Sequence, residues 1–495
     1  MYKLKDTGLT MADLQVMLHR APIRRLVHSA GFLGLALVGA AVALLVYFGI
    51  PRNAAGMAAK GVCSAAFVAG RSADSLLAQE VLPASPVLSA IGISIDAVNH
   101  TVTARFAGVV ARTAVLLPNR GCVLDHAPDA TAQPYQPKVN AAALWPQGDA
   151  PLPIKAWGAQ VDGGKLQRVV DQAFVGAGDP LAANARGMAV VHKGRLLMLR
   201  DGPGFAPGTP LHGWSMAKTV TGMLTYKLAV QTGLPLETPV VDAFAAGRAP
   251  AWLANWRGDG RSRMTVADLM YMRDGLNSTE DYQPWGSVPQ MLWGSSDVAA
   301  WAAGHGAEVP ASTRWRYLSA TSNILAAVAR GRFDNDAAYW AYPREALFAP
   351  IGAHSAVMET DNHGNWVGSS YLWASVADWA RLGQLMLQDG RWAGKQVIPR
   401  GWLRYASTPA LAAGDGLGYG AQSWLIGHPQ QGECKSYPHI SADTVAMQGH
   451  WGQIVAMIPS RNAVVVRLGW TFKRSQFDDC QFLSDVLSAL PHEVI

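Results

Sequence analysis

Charge is scarce in this chain: Asp, Glu, Lys and Arg make up 15% of its 495 residues, and the formal net charge is only +6. Outside the N-terminus the Lys and Arg residues are scattered without a basic run, so no nucleic-acid partner is expected. Cysteine is rare as well. There are four, none in C-x-x-C spacing, which argues against zinc and thiol-redox motifs. The thirteen histidines form no H-E-x-x-H pattern, so no metal site is expected. No Gly-rich loop joins a strand to a helix, nucleotide binding has no support, and no cofactor is expected. Internal repeats and low-complexity tracts are absent from the sequence.

Apolar residues are what the chain has in quantity, at 50% of the total, so a sizeable core is easily filled. The length exceeds what one core usually organises, which suggests two folded units and an anchor. Residues 30–50, AGFLGLALVGAAVALLVYFGI, carry no charge over a length that suits a transmembrane helix. Lys3, Lys5, Arg20, Arg24 and Arg25 precede this run. The positive-inside rule therefore gives a cytoplasmic segment (1–29), a membrane helix (30–50) and an extracytoplasmic, periplasmic bulk held at the inner membrane by one pass. A cleaved signal peptide is the alternative; against it, the run is long for a signal h-region and lies behind a long n-region.

An oxidising location makes two disulfides the expected use of Cys63, Cys122, Cys434 and Cys480. Four cysteines allow three pairings. Cys63–Cys122 and Cys434–Cys480 are favoured because each pair stays within one region of the chain; free buried thiols are the alternative.

Residues 51–155 read as an N-terminal region with strand-like alternation over 87–108 and 112–124, then a connector rich in Pro, Ala and Gln over 133–153. It serves either to pack on the following domain or to space it from the membrane. Residues 156–495 alternate. Residues 187–200 read as two strands about a His-Lys-Gly turn, and 215–233 as a helix stopped by Gly233. Capping boxes are expected at Thr265/Asp268 and Ser375/Asp378, and an antiparallel hairpin over 453–470 before a terminal helix near 477–490. Strands at both ends with helices between give an α+β fold, an antiparallel sheet covered by helices.

The sharpest local signal is Ser215-Met216-Ala217-Lys218. A serine at the first turn of a helix sits where free N–H groups and the positive dipole end favour a developing oxyanion. A lysine three residues on shares that face, and desolvation turns it into a neutral base. By itself S-x-x-K occurs by chance about once in a chain of this size. Two further features join it. Tyr317-Leu318-Ser319 offers a phenol to shuttle a proton. Gly449-His450-Trp451-Gly452-Gln453 offers small residues for close backbone approach, and an amide at Gln453 to pair with that of Ser215 as an oxyanion hole.

Taken together, SMAK, YLS and HWG resemble the S-x-x-K, Y-x-N/S and K/H-x-G motifs of the penicillin-recognising serine hydrolases. ALFAPIGAHS, GSSYLWASVADWARLGQLMLQDGRW and GHWGQIVAMIPSRNAVVVRLG resemble the class C β-lactamase-like branch, in particular the 6-aminohexanoate-dimer hydrolase and its esterase relatives. The resemblance covers about 160–495. It implies an antiparallel sheet sandwiched by helices with a helical subdomain, and an acyl-enzyme mechanism. In that reading Ser215 is the nucleophile, Lys218 the base and Tyr317 the proton-transfer partner, with Gln453 as second oxyanion donor. His450, Gly452 and Ser319 stand at substrate-binding positions, and Tyr282, in DGLNSTEDY, at the place of a flap tyrosine.

There are departures. Ser319 replaces Asn, and His450 stands where β-lactamases carry Lys, so the permanent cation for a β-lactam carboxylate is missing. No second glutamate motif for deacylation is visible. The expected partner is therefore a small amide or ester. The alternatives are a D-Ala-D-Ala carboxypeptidase or β-lactamase of the cell envelope, and a catalytically silent cell-wall-binding homologue. The sequence sets no oligomeric state.

Overall fold

The computed structural model describes residues 46–136, 139–414 and 416–491. Met1–Pro51 clusters as one unit, of which only residues 46–51 are described, and Arg52–Ile495 as another.

A first helix, α1 (Ile50–Cys63), leads to a four-stranded antiparallel meander. Its strands are β1 (Ile91–Asp96), β2 (Thr101–Phe106), β3 (Val110–Leu117) and β4 (Gly121–Leu124). A disulfide joins Cys63 to Cys122. The region packs on the rest of the unit through buried polar contacts. Glu359 pairs with Lys60 at 3.2 Å and accepts from Ser64 Oγ at 2.7 Å and from the Cys122 amide at 2.9 Å. Arg120 donates to Thr360 Oγ1 and to the Asp361 carbonyl.

The main sheet has five antiparallel strands in the order β12-β13-β14-β5-β6. Two come early, β5 (Ala185–His192) and β6 (Arg195–Asp201), and three late, β12 (Val445–Gly449), β13 (Gln453–Ile458) and β14 (Ala463–Gly469). Between them the chain forms β7 (Leu211–His212), β8 (Val357–Met358) and β9 (Leu372–Ala374) as a small sheet, and a hairpin of β10 (Arg391–Trp392) and β11 (Lys395–Gln396).

Alternation along the strands sends side chains to two cores. Met188, Val190, Ile454, Ala456 and Val465 meet α2 (Gly163–Ala173) and the C-terminal helix Asp479–Ser488 on one face. Ala189, Val191, Val455, Val464 and Val466 join the larger core on the other, where helix Val376–Leu387 lies on β13 and β14. Its close approach depends on Gly383: a Cβ there would stand 2.7 Å from Val455 Cγ1 and Val464 Cγ1. A second disulfide, Cys434–Cys480, ties the segment before β12 to the C-terminal helix. Thr265 and Asp268 form a reciprocal capping box. Ser375 caps its helix, but the Asp378 carboxylate turns instead to Ser355 and Arg381.

The α+β part of the expected fold is present; the membrane helix is a correction. Among the described residues no helix is long and apolar enough to cross a membrane. Residues 30–45 of the apolar run lie outside the described residues. Its end runs into α1, which has 14 residues and contains Arg52 and Lys60. At 1.5 Å per residue such a helix falls well short of a hydrocarbon core of about 30 Å. The inferred single-pass inner-membrane location, the membrane partner and the periplasmic assignment that rested on it therefore have no support.

Candidate active site

Helix α3 (Met216–Thr232) positions the first motif and ends at Gly233 in the left-handed region. Ser215 is its N-cap, and the residue before it, Trp214, holds a φ of +49°. The turn is tight: the Lys218 amide donates to the Ser215 carbonyl at 3.0 Å. The end of β12 presses on this turn, since a Cβ on Gly449 would stand 2.2 Å from the Gly213 carbonyl oxygen. Glycine at 449 is thus what lets the third motif approach the first.

The Lys218 side chain is fully buried. Its Nζ lies 2.9 Å from Ser215 Oγ, 2.9 Å from Ser319 Oγ and 3.0 Å from the Ser369 carbonyl oxygen. Burial lowers its pKa to about 8, against a smaller opposing pull from Glu280. Tyr317 shares the cleft with Ser215, and its ring centroid is 4.7 Å from Lys218 Nζ. Trp424 and Tyr419 hold that ring at centroid distances of 5.0 and 5.7 Å. Burial raises the phenol's pKa, so it stays protonated at neutral pH.

Tyr282 lines the cleft beside the nucleophile, and its hydroxyl lies 3.5 Å from Glu280 Oε1. Its ring stacks on His450 at 4.2 Å with an interplanar angle of 6°. Burial, and then the nearby Lys218, lower the His450 pKa to about 4, so the imidazole is neutral at pH 7. Ser215, Tyr282, Tyr317 and His450 line a cleft of about 400 Å³, with Trp424, Trp451, Phe472 and Phe477 as aromatic walls.

Gln453 and Gly452 line the cleft, and Ser319 lies behind it. The Gln453 side chain turns inward and bonds the Gly469 amide and carbonyl, so only its backbone is available to the cleft. Gly452, at φ +81°, covers Arg467: a Cβ would meet Nη1 at 2.3 Å. Ser319 is fully buried and faces Lys218 and Glu280 instead of open space. Glu280 was not selected from the sequence. It accepts from the Ser319 amide and hydroxyl, both at 2.6 Å, and lines the same cleft. Its one local signal is its place two residues before Tyr282. Among the described residues no group of His, Cys, Asp and Glu could hold a metal ion. His212 lies outside the cleft, stacked on Trp373 and bonded to the Ser370 carbonyl.

A nucleophile at a helix start, a buried amine beside it and a phenol ring against that amine, beneath the edge of an antiparallel sheet, form the layout of a serine hydrolase. Comparison with known proteins gives the same class. The beta-lactamase family profile matches residues 167–479, and the chain belongs to that family, within the penicillin-recognising serine hydrolase superfamily. A structure described as a 6-aminohexanoate-dimer hydrolase from Bacillus anthracis is similar, with a TM-score of 0.51 and 21% identity. The match covers 66% of this chain and 83% of that one. A structure described as a beta-lactamase from Bacteroides dorei has a TM-score of 0.51 and 15% identity, covering 67% of this chain and 99% of that one. No curated protein matches the sequence.

Proposed function

We propose that this serine hydrolase cleaves a small amide or ester through an acyl-enzyme on Ser215. The observation that carries this is the buried Lys218 amine at 2.9 Å from the Ser215 hydroxyl. Neutral Lys218 takes the Ser215 proton, and Ser215 attacks the carbonyl. The oxyanion rests on the Ser215 and Gln453 amides. The Tyr317 hydroxyl gives a proton to the leaving group and is reprotonated by the Lys218 ammonium, which restores the neutral amine; water then enters by the reverse path. Residues 156–495 carry this chemistry and 51–155 brace it. Small neutral acyl groups are favoured over β-lactams because neutral His450, stacked under Tyr282, offers no cation to a β-lactam carboxylate.

The test is a panel of p-nitrophenyl esters, aminohexanoate dimer and nitrocefin, run with the protein and its Ser215→Ala variant. Ester or amide turnover lost in the variant is expected. Turnover that survives in the variant, or nitrocefin as the only substrate consumed, contradicts the proposal.

A further inference from the structure

An unbroken path of hydrogen-bonding atoms runs from the nucleophile to a carboxylate: Ser215 Oγ, Lys218 Nζ, Ser319 Oγ, Glu280 Oε1. Its last link is fixed twice over, because Glu280 Oε2 accepts from the Ser319 amide while Oε1 accepts from the Ser319 hydroxyl. A serine hydroxyl has one proton to give. Once it is committed to Glu280, the lone pairs of Ser319 Oγ are what Lys218 meets. The Ser369 carbonyl at 3.0 Å is likewise only an acceptor. A neutral lysine amine has two N–H groups and one lone pair. Both N–H groups are claimed by Ser319 Oγ and the Ser369 carbonyl, so the lone pair is left for the proton of Ser215.

On the reading of Ser215 and Lys218 given above, we infer that Glu280 is a positioning residue which, by holding the Ser319 hydroxyl proton, aims the Lys218 lone pair at Ser215. The serine at the third position of the second motif then has a purpose. It is the link through which a carboxylate 39 residues earlier in the chain acts on the base. Glu280 also acts by charge. The other titratable groups around Lys218 are neutral: His450 with its lowered pKa, and Tyr282 and Tyr317 with raised ones. Glu280 is thus the carboxylate that favours the lysine ammonium formed when Ser215 is deprotonated.

The experiment follows the rate at which a fluorophosphonate probe labels Ser215 in the full chain, from pH 6 to pH 10. Removing the carboxylate in Glu280→Gln withdraws support from the ammonium. The acid limb of the profile is expected to move to lower pH by about 1 unit. At pH 9, where the lysine is largely neutral, labelling is expected to slow about tenfold from lost aim. Glu280→Asp should recover part of both effects. Ser319→Ala, which keeps the backbone amide bond to Glu280 Oε2, should slow labelling at pH 9 alike, and the double variant should be no slower than either single one. A Glu280→Gln profile that falls equally at every pH with its limb in place overturns the inference; so does a Ser319→Ala variant as fast as the unaltered protein. If the unaltered protein labels at Ser215 while these variants match it, the positioning role fails and the hydrolase reading stands. If the unaltered protein takes no label, both fail.

Discussion

Lys218 Nζ lies 2.9 Å from Ser215 Oγ, and burial brings the lysine pKa down to about 8. The sign of the pH dependence follows. Below that value the side chain is an ammonium with no lone pair to accept a proton; above it the neutral amine prevails. kcat/KM for an ester turned over at Ser215 should therefore rise with pH through a midpoint near 8. Lys218→Ala should lose about 10²–10⁴-fold, the usual worth of a general base. A pH–rate profile checks both.

Tyr317 offers a cleaner separation of chemistry from packing. Its ring is held by Trp424 and Tyr419 in the cleft that it shares with Ser215. Tyr317→Phe keeps the ring and removes the proton carrier. kcat should fall about 10²-fold or more with the melting temperature nearly unchanged. Steady-state kinetics beside a thermal melt will show it.

Lys60 and Glu359, 3.2 Å apart and both buried, tie α1 to the strand segment ahead of Ser369. Burial lowers the Lys60 pKa and Glu359 partly restores it. Glu359→Ala leaves a buried cation without its partner and strips the acceptor from Ser64 and the Cys122 amide. A loss of about 3–5 kcal/mol in a denaturant titration is expected. Lys60→Met with Glu359→Leu should recover much of it, because the uncompensated charge is removed too.

Gly383 sits where the helix lies on β13 and β14. A methyl group there must push Val455 and Val464 apart, so Gly383→Ala should cost about 1–3 kcal/mol in the same titration. It should leave the Ser215 labelling rate of the folded protein unchanged.

Much of the fold could be read from pattern. Residues 453–458 and 463–469 are near-continuous apolar runs rich in Ile and Val about a Pro-Ser-Arg-Asn turn, and they form a hairpin buried on both faces. The helix after Ser215 stops at Gly233 because only glycine takes the left-handed cap without strain. Ser215 and Lys218 share a turn, so their spacing alone put them in reach of each other. Glu280 left no such trace: it meets Ser319 across a loop, and nothing in the spacing of either residue says so. Lys60 and Glu359, 299 positions apart, were equally silent. The membrane reading went astray on composition. Counting apolar residues up to Ile50 took no account of Arg52 and Lys60 in the helix that starts there, and Lys60 is spent on an ion pair inside the folded unit.

The most direct measurement is the mass of the protein during turnover. Mixing with a p-nitrophenyl ester, quenching in acid within the first turnovers and mapping the peptides should find the acyl group's mass added at Ser215, and none in Ser215→Ala. Steady turnover with no adduct on Ser215, or an adduct on a different residue, would contradict the account.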